Sequence, residues 1–261
     1  MTERPSSIRR RRGIPEGGAP FRGGPILNLP TPIGQIVVVT IAAFFLSLIL
    51  PSPFTGGPLF LDLAFIPVRF LAQIEEGHYL IAAVPLITHI FLHGGLGHLA
   101  LNMLWLMVFG SGTARRLCVE NATPADASAN IAVFMAFYLL SGVAGALTHF
   151  AAHPFDDVPM IGASGAISGL MAGTLRFALR LFAPMGAEYG PLAPIGARPV
   201  LVASLIYIGL NVATGVAGAM MTDGQVMIAW EAHIGGFVFG LLAFPLFDRM
   251  AKRPPLPFGL G

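Results

Sequence analysis

The 261-residue chain is 55% hydrophobic and only 11% charged, and its mean hydropathy is +0.75. A soluble domain carries about 25% charged residues, so the composition excludes an ordinary soluble domain and places the chain among polytopic membrane proteins. The net charge is only +2, so its distribution carries more information than its sum.

Residues 1–30 are polar, rich in Pro and Gly, and basic, with the run Arg9-Arg10-Arg11-Arg12. They show no apolar periodicity and read as a disordered basic cytoplasmic tail. The arginine run reads as a topology-setting flank, not as an arm for nucleic acid, and no nucleic-acid partner is expected. No cleavable leader is expected either, because the first apolar run lacks a small-residue cleavage site.

Ile33–Leu50 is uncharged and long enough to span with its flanks. Pro51–Ala83 mixes apolar residues with Asp62, Arg69, Glu75 and Glu76, the pattern of an interfacial loop with short amphipathic helices. Five further apolar segments follow: Gly94–Ala114, Asn130–Ala152, Pro159–Phe182, Pro199–Met221 and Val226–Phe247. The expected fold is thus an all-α bundle of six transmembrane helices over residues 31–250. A short cytoplasmic tail, 251–261, completes the chain. Arg176 and Arg180, in the last turns of the fourth span, are expected to snorkel to the interface. With both termini inside, every Arg and Lys except Arg69 falls on the inner side, the positive-inside pattern. The 32 glycines and 22 prolines suit close helix packing in a bilayer.

In this topology the second, fourth and sixth helices all enter from the outer side. His98 and Asn102 then lie near the outer end of the second, Ser164 near that of the fourth, and His233 near that of the sixth. They share a depth of about 5–10 Å at 1.5 Å rise per residue. Intramembrane polar groups are costly and face a bundle interior or a wet cavity, so one shared cavity is expected. Gly165, Gly169 and Gly173 form a small-residue ridge on the fourth helix, and His233, Gly236 and Gly240 share a face of the sixth. Such faces let backbones pack closely, which can bring Ser164 to His233.

A serine needs a base within hydrogen-bond reach to become a nucleophile, and a neutral His233 can take and return the proton. No carboxylate is well placed behind it. Glu231 lies near the opposite helix face and Asp223 in the preceding loop, so a Ser–His dyad is expected. The Ser164 N–H at a helix start, with His98 and Asn102 at i, i+4, supplies candidate oxyanion donors.

The set Gly162-Ala163-Ser164-Gly165, the His98/Asn102 pair, His93, and Ala232-His233-x-x-Gly236-x-x-x-Gly240 resembles the rhomboid intramembrane proteases. The resemblance covers about residues 33–247. It implies Ser164 as nucleophile, His233 as base, and His98 and Asn102 lining an oxyanion hole supported by Gly162 and Ala163. It also implies that the fifth helix and the loop around 221–228 gate lateral access of substrate. In some bacterial members an aromatic residue stands four positions after the serine, beneath the base; here Ser168 stands there. The Trp-Arg pair of many members is replaced by Pro67-Val68-Arg69-Phe70.

The expected activity is serine endopeptidase cleavage in or near transmembrane segments of membrane-protein substrates, within a bacterial inner membrane, with the site open to the outer side. The alternative from another class is a non-proteolytic binder or transporter using its histidines as a proton relay. Seven histidines invite a metal reading, but no His-Glu-x-x-His motif is present, and neither metal nor cofactor is expected. Asn211 in the fifth span fits either helix packing or gating.

Overall fold

The computed structural model describes residues 29–52, 58–118, 123–178, 190–221 and 228–252. The expected tails, 1–30 and 251–261, lie outside these apart from Leu29, Pro30, Ala251 and Lys252.

Among the described residues the architecture is helical, and its longer helices are α1 (Thr31–Ile49), α2 (Leu96–Leu117), α3 (Pro124–Ala152), α4 (Ser164–Ala178), α5 (Arg198–Met221) and α6 (Trp230–Met250). Among the described residues α1, α3, α5 and α6 are long and apolar enough to cross a membrane. A fifth candidate is the pair Tyr79–Phe91 and α2, bent by 85°. The segment expected as the fourth span, Pro159–Phe182, differs at its start. Its helix starts only at Ser164 and is described for 15 residues, with 179–182 outside the described set. The five residues before it are not helical: Met160 exchanges backbone hydrogen bonds of 2.8 and 3.2 Å with Phe65, and Gly162 turns the chain at φ +123°.

Several helix ends follow from local sequence. Pro124 opens α3 behind Thr123, whose hydroxyl accepts the Asp126 N–H at 3.2 Å, the usual way to satisfy one orphan amide of a helix start. Pro245 sits inside α6, and having no N–H it cannot bond the Leu241 carbonyl. Arg176 of α4 takes that carbonyl through Nη1 at 2.7 Å and the Ala193 carbonyl through Nε at 2.7 Å. Arg176 therefore does not snorkel outward as expected. It is 6% exposed, because two backbone acceptors inside the bundle compensate its burial. Arg180 lies outside the described residues.

The core is built on α3, α4 and α6. Phe134, Phe137, Ala166, Leu170 and Phe244 are fully buried there. The glycine faces allow backbone contact: a Cβ on Gly240 would lie 2.6 Å from Gly169 Cα, and one on Gly145 would lie 2.6 Å from the Ala232 carbonyl oxygen. A π turn at Leu106–Gly110 interrupts α2. Beyond it the Thr113 hydroxyl bonds the Leu170 carbonyl at 3.1 Å, and Thr174 bonds the Phe109 carbonyl at 3.2 Å, joining α2 to α4. At the end of the bundle away from Ser164, Arg116 makes a bidentate pair with Asp248 at 2.7 and 2.8 Å. Asn130 and Lys252 lock the same end through side chain–backbone bonds of 2.9 and 2.6 Å.

The 58–83 region contains short helices at Phe60–Leu63, Pro67–Glu75 and Tyr79–Ala83, matching the expected loop of short helices. Within Pro67-Val68-Arg69-Phe70, the last two residues anchor this region. Arg69 bonds the Leu61 carbonyl at 3.2 Å, and Phe70 packs on Phe65 and Phe150 with ring centroids 5.3 and 5.0 Å away. Helix α5 is the peripheral member, with Leu205, Ile206 and Leu210 exposed along it.

Candidate active site

Ser164 is the first residue of α4, so its N–H belongs to the helix-start amides that have no intrahelical acceptor. The chain reaches it through Gly162, whose N–H donates to the His89 carbonyl at 2.9 Å, and through Ala163, fully buried. A Cβ on Gly162 would sit 2.8 Å from His98 Nε2 and 3.8 Å from Ser164 Oγ. The positive φ and this gap both require glycine. What the glycine leaves open is the space between the serine hydroxyl and the His98 ring.

His233 lies one turn inside α6, and its Nε2 is 2.7 Å from Ser164 Oγ. The close passage of α6 across the glycines of α4 sets this distance. Nδ1 of the same ring is 2.8 Å from Asn211 Oδ1, on α5. The Asn211 amide is oriented in turn, since its Nδ2 donates to the Tyr207 carbonyl at 2.9 Å, and a carbonyl only accepts. Oδ1 must therefore face His233, Nδ1 must carry the ring proton, and Nε2 is left as the acceptor for the serine O–H. Three helices thus fix one tautomer.

The second-helix residues are also near. His98 Nδ1 accepts the Gly94 N–H at 3.4 Å, which makes Nε2 its N–H side, facing Gly162. Asn102 is buried, and its Nδ2 donates to the His98 carbonyl at 3.0 Å; one N–H of that amide remains for another acceptor. His93 packs edge-on against His98 at 5.0 Å between centroids. A cavity of about 790 Å³ is lined by His98, Asn102, Ser164, Asn211 and His233, among apolar neighbours. The residues expected to share one cavity do so.

Sequence reasoning left Asn211 between packing and gating and did not connect it with His233. The available signal was the polar stripe Ser204, Tyr207, Asn211 and Thr214, spaced by three and four along the fifth span. Ser168, four residues after the serine, is met by a tyrosine from another helix. Ser168 Oγ donates to the Ser164 carbonyl at 2.6 Å and accepts the Tyr207 hydroxyl at 2.6 Å. The Tyr207 ring stacks on Phe237 of α6 at 4.4 Å. Glu231 points away from this cavity toward His149 and His153, as its helix face predicts.

Comparisons with known proteins point to one family. The rhomboid domain family model matches residues 82–249, a stretch that holds Ser164, His233, His98, Asn102 and Asn211. A curated relative named rhomboid protease GluP, from Bacillus subtilis (strain 168), is 29% identical over 161 residues, covering 60% of this chain and 25% of that protein. The chain thus matches about a quarter of that relative's length. A family match over more than half of the chain, on a helical frame with several membrane-spanning candidates, carries the conclusion that this protein belongs to the rhomboid family.

Proposed function

We propose that this protein is an intramembrane serine endopeptidase that hydrolyses peptide bonds in or near transmembrane segments of membrane-protein substrates, with Ser164 and His233 as its catalytic dyad. The observation that carries this reading is the 2.7 Å contact of Ser164 Oγ with an acceptor His233 Nε2 at the wall of an apolar cavity. The 29% identity to a protein named a protease supports it.

In this reading His233 Nε2 takes the hydroxyl proton as Ser164 Oγ attacks the scissile carbonyl carbon. The carbonyl oxygen becomes an oxyanion in the gap left by Gly162, where the Ser164 N–H, His98 Nε2–H and the remaining Asn102 N–H stabilise it. Collapse breaks the C–N bond, and His233 returns its proton to the leaving amine. A water then hydrolyses the Ser164 ester by the same route in reverse order. Asn211 acts as a positioning residue that keeps the His233 proton on Nδ1. Helix α5, the least buried of the frame, is the flank through which a substrate helix would reach the cavity.

The proposal includes the topology: six spans, both termini inside, an inner bacterial membrane and a site opening to the outer side. The placement of Arg and Lys supports it. Substrates would be single-span proteins whose helix unwinds easily near the outer face, through Gly, Pro or small polar residues.

The test is labelling of the detergent-solubilised protein with a serine-reactive fluorophosphonate, paired with cleavage of a model transmembrane substrate. Wild type should label and cleave, while Ser164→Ala and His233→Ala should do neither, a loss of about 10⁶-fold by analogy with soluble serine proteases. Equal labelling of all three would refute the dyad. A folded wild type that neither labels nor cleaves would indicate a non-proteolytic binder.

A further inference from the structure

The ends of α3 and α6 nearest the candidate site hold a second cluster of titratable side chains that the proposed chemistry does not use. His149, in the last turn of α3, and His153, its C-terminal cap residue, are spaced i, i+4 and share a face. Glu231, in the first turn of α6, reaches both. Its Oε2 lies 3.4 Å from His149 Nδ1, and its Oε1 lies 2.8 Å from His153 Nε2. One ligand-capable atom from each of the three residues falls within 4.8 Å of the others.

The backbone holds this group together. The contact of Gly145 with the Ala232 carbonyl puts α3 and α6 in backbone contact beside the cluster, so the three side chains start from closely fixed positions. His149 and Glu231 are buried, while the His153 side chain is 31% exposed and gives an ion a path from water. Asp156 stands 4.0 Å from His153 Nδ1, on the opposite edge of the ring from Glu231. At that distance it is not hydrogen-bonded, but it adds a second negative charge beside the cluster.

We propose that His149, His153 and Glu231 form a binding site for a zinc-class divalent transition-metal ion that ties the end of α3 to the start of α6. Two imidazoles and one carboxylate match zinc and cobalt and suit calcium or magnesium poorly. With metal–ligand bonds of about 2.0–2.2 Å, a tetrahedral ion needs its ligand atoms about 3.3–3.6 Å apart; the present separations, 2.8 and 3.4 Å from the carboxylate to the two rings and none above 4.8 Å, bracket that range, so rotamer shifts can supply the geometry. The fourth position would be taken by water. Sequence pattern does not show the site, because Glu231 follows the histidines by 82 and 78 positions. The ion would sit two residues before His233 but on another face of α6, bracing the helix that carries the base.

The experiment is titration of the full-length, chelator-treated protein with Co²⁺, read by its visible absorption, followed by displacement with Zn²⁺ and by thermal unfolding with and without Zn²⁺. One equivalent of Co²⁺ should bind with a four-coordinate spectrum, Zn²⁺ should displace it and raise the melting temperature, and Mg²⁺ should do neither. His153→Ala and Glu231→Gln should each weaken Co²⁺ binding by about 10-fold or more, while the metal-free melting temperature of the half-exposed His153→Ala variant stays near wild type. Absence of a Co²⁺ band at several equivalents would overturn the proposal. So would a band of equal strength in wild type and both variants, since the ion would then sit on other histidines. The readout involves neither Ser164 nor peptide cleavage, so the site stands or falls apart from the protease reading.

Discussion

Replacing Asn211 tests the most specific feature of the site. In the wild type its Oδ1 accepts the His233 Nδ1–H at 2.8 Å, and its Nδ2 is held by the Tyr207 carbonyl at 2.9 Å. Asn211→Leu removes the acceptor and keeps the side-chain volume roughly constant, leaving a buried N–H without a partner. That costs about 1–3 kcal/mol, which at 1.4 kcal/mol per decade is about 5–150-fold in rate. The loss should appear in kcat more than in KM, because the imidazole carries its positive charge only during the reaction. Asn211→Asp restores an acceptor and should recover part of it. The assay is cleavage of a fluorogenic transmembrane substrate in proteoliposomes, together with the rate of fluorophosphonate labelling of Ser164. In a His233→Ala background the Asn211 substitution should add nothing, since its whole effect runs through the ring. Wild-type rates in Asn211→Leu would refute the positioning role, and so would an equal loss in the His233→Ala background.

Two further outcomes follow from the packing. Gly162→Ala places a methyl group 2.8 Å from His98 Nε2 at a φ of +123°, and strain of about 1–3 kcal/mol should lower labelling and cleavage together by about 5–150-fold. Unchanged labelling would mean that the gap beside Ser164 is not used. Breaking the buried Arg116–Asp248 pair from one side, by Arg116→Leu or Asp248→Leu, should cost about 3–5 kcal/mol of stability. The double substitution should cost clearly less than the sum of the two, as read by equilibrium unfolding in detergent. Additive losses would argue against the pairing.

The sequence alone was enough for the membrane class, most of the helix positions and the residues that meet at the cavity. These properties are locally encoded. Apolar length is a one-dimensional quantity, and small residues spaced by four mark a helix face wherever that face ends up. Ser164, His233, His98 and Asn102 were legible because a polar group in an apolar span is conspicuous before any folding is known. Gly162 and Ala163 entered only through the resemblance, as support for the oxyanion hole, and the turn at Gly162 came from the structure.

What only the tertiary structure decided are relations between helices. Ser204, Tyr207, Asn211 and Thr214 share one face of the fifth span, which orients that helix, but nothing in the span says that Asn211 meets His233, because the partner lies on another helix. The start of α4 at Ser164 depends on Phe65 pairing with Met160, nearly a hundred positions earlier. The inward turn of Arg176 depends on a carbonyl that Pro245 strips of its partner on another helix. The His149–His153–Glu231 cluster exists only because Gly145 lets α6 approach α3. In each case the deciding energy is the cost of burying an unsatisfied polar group. Its partner is chosen by three-dimensional proximity, which spacing along the chain does not record.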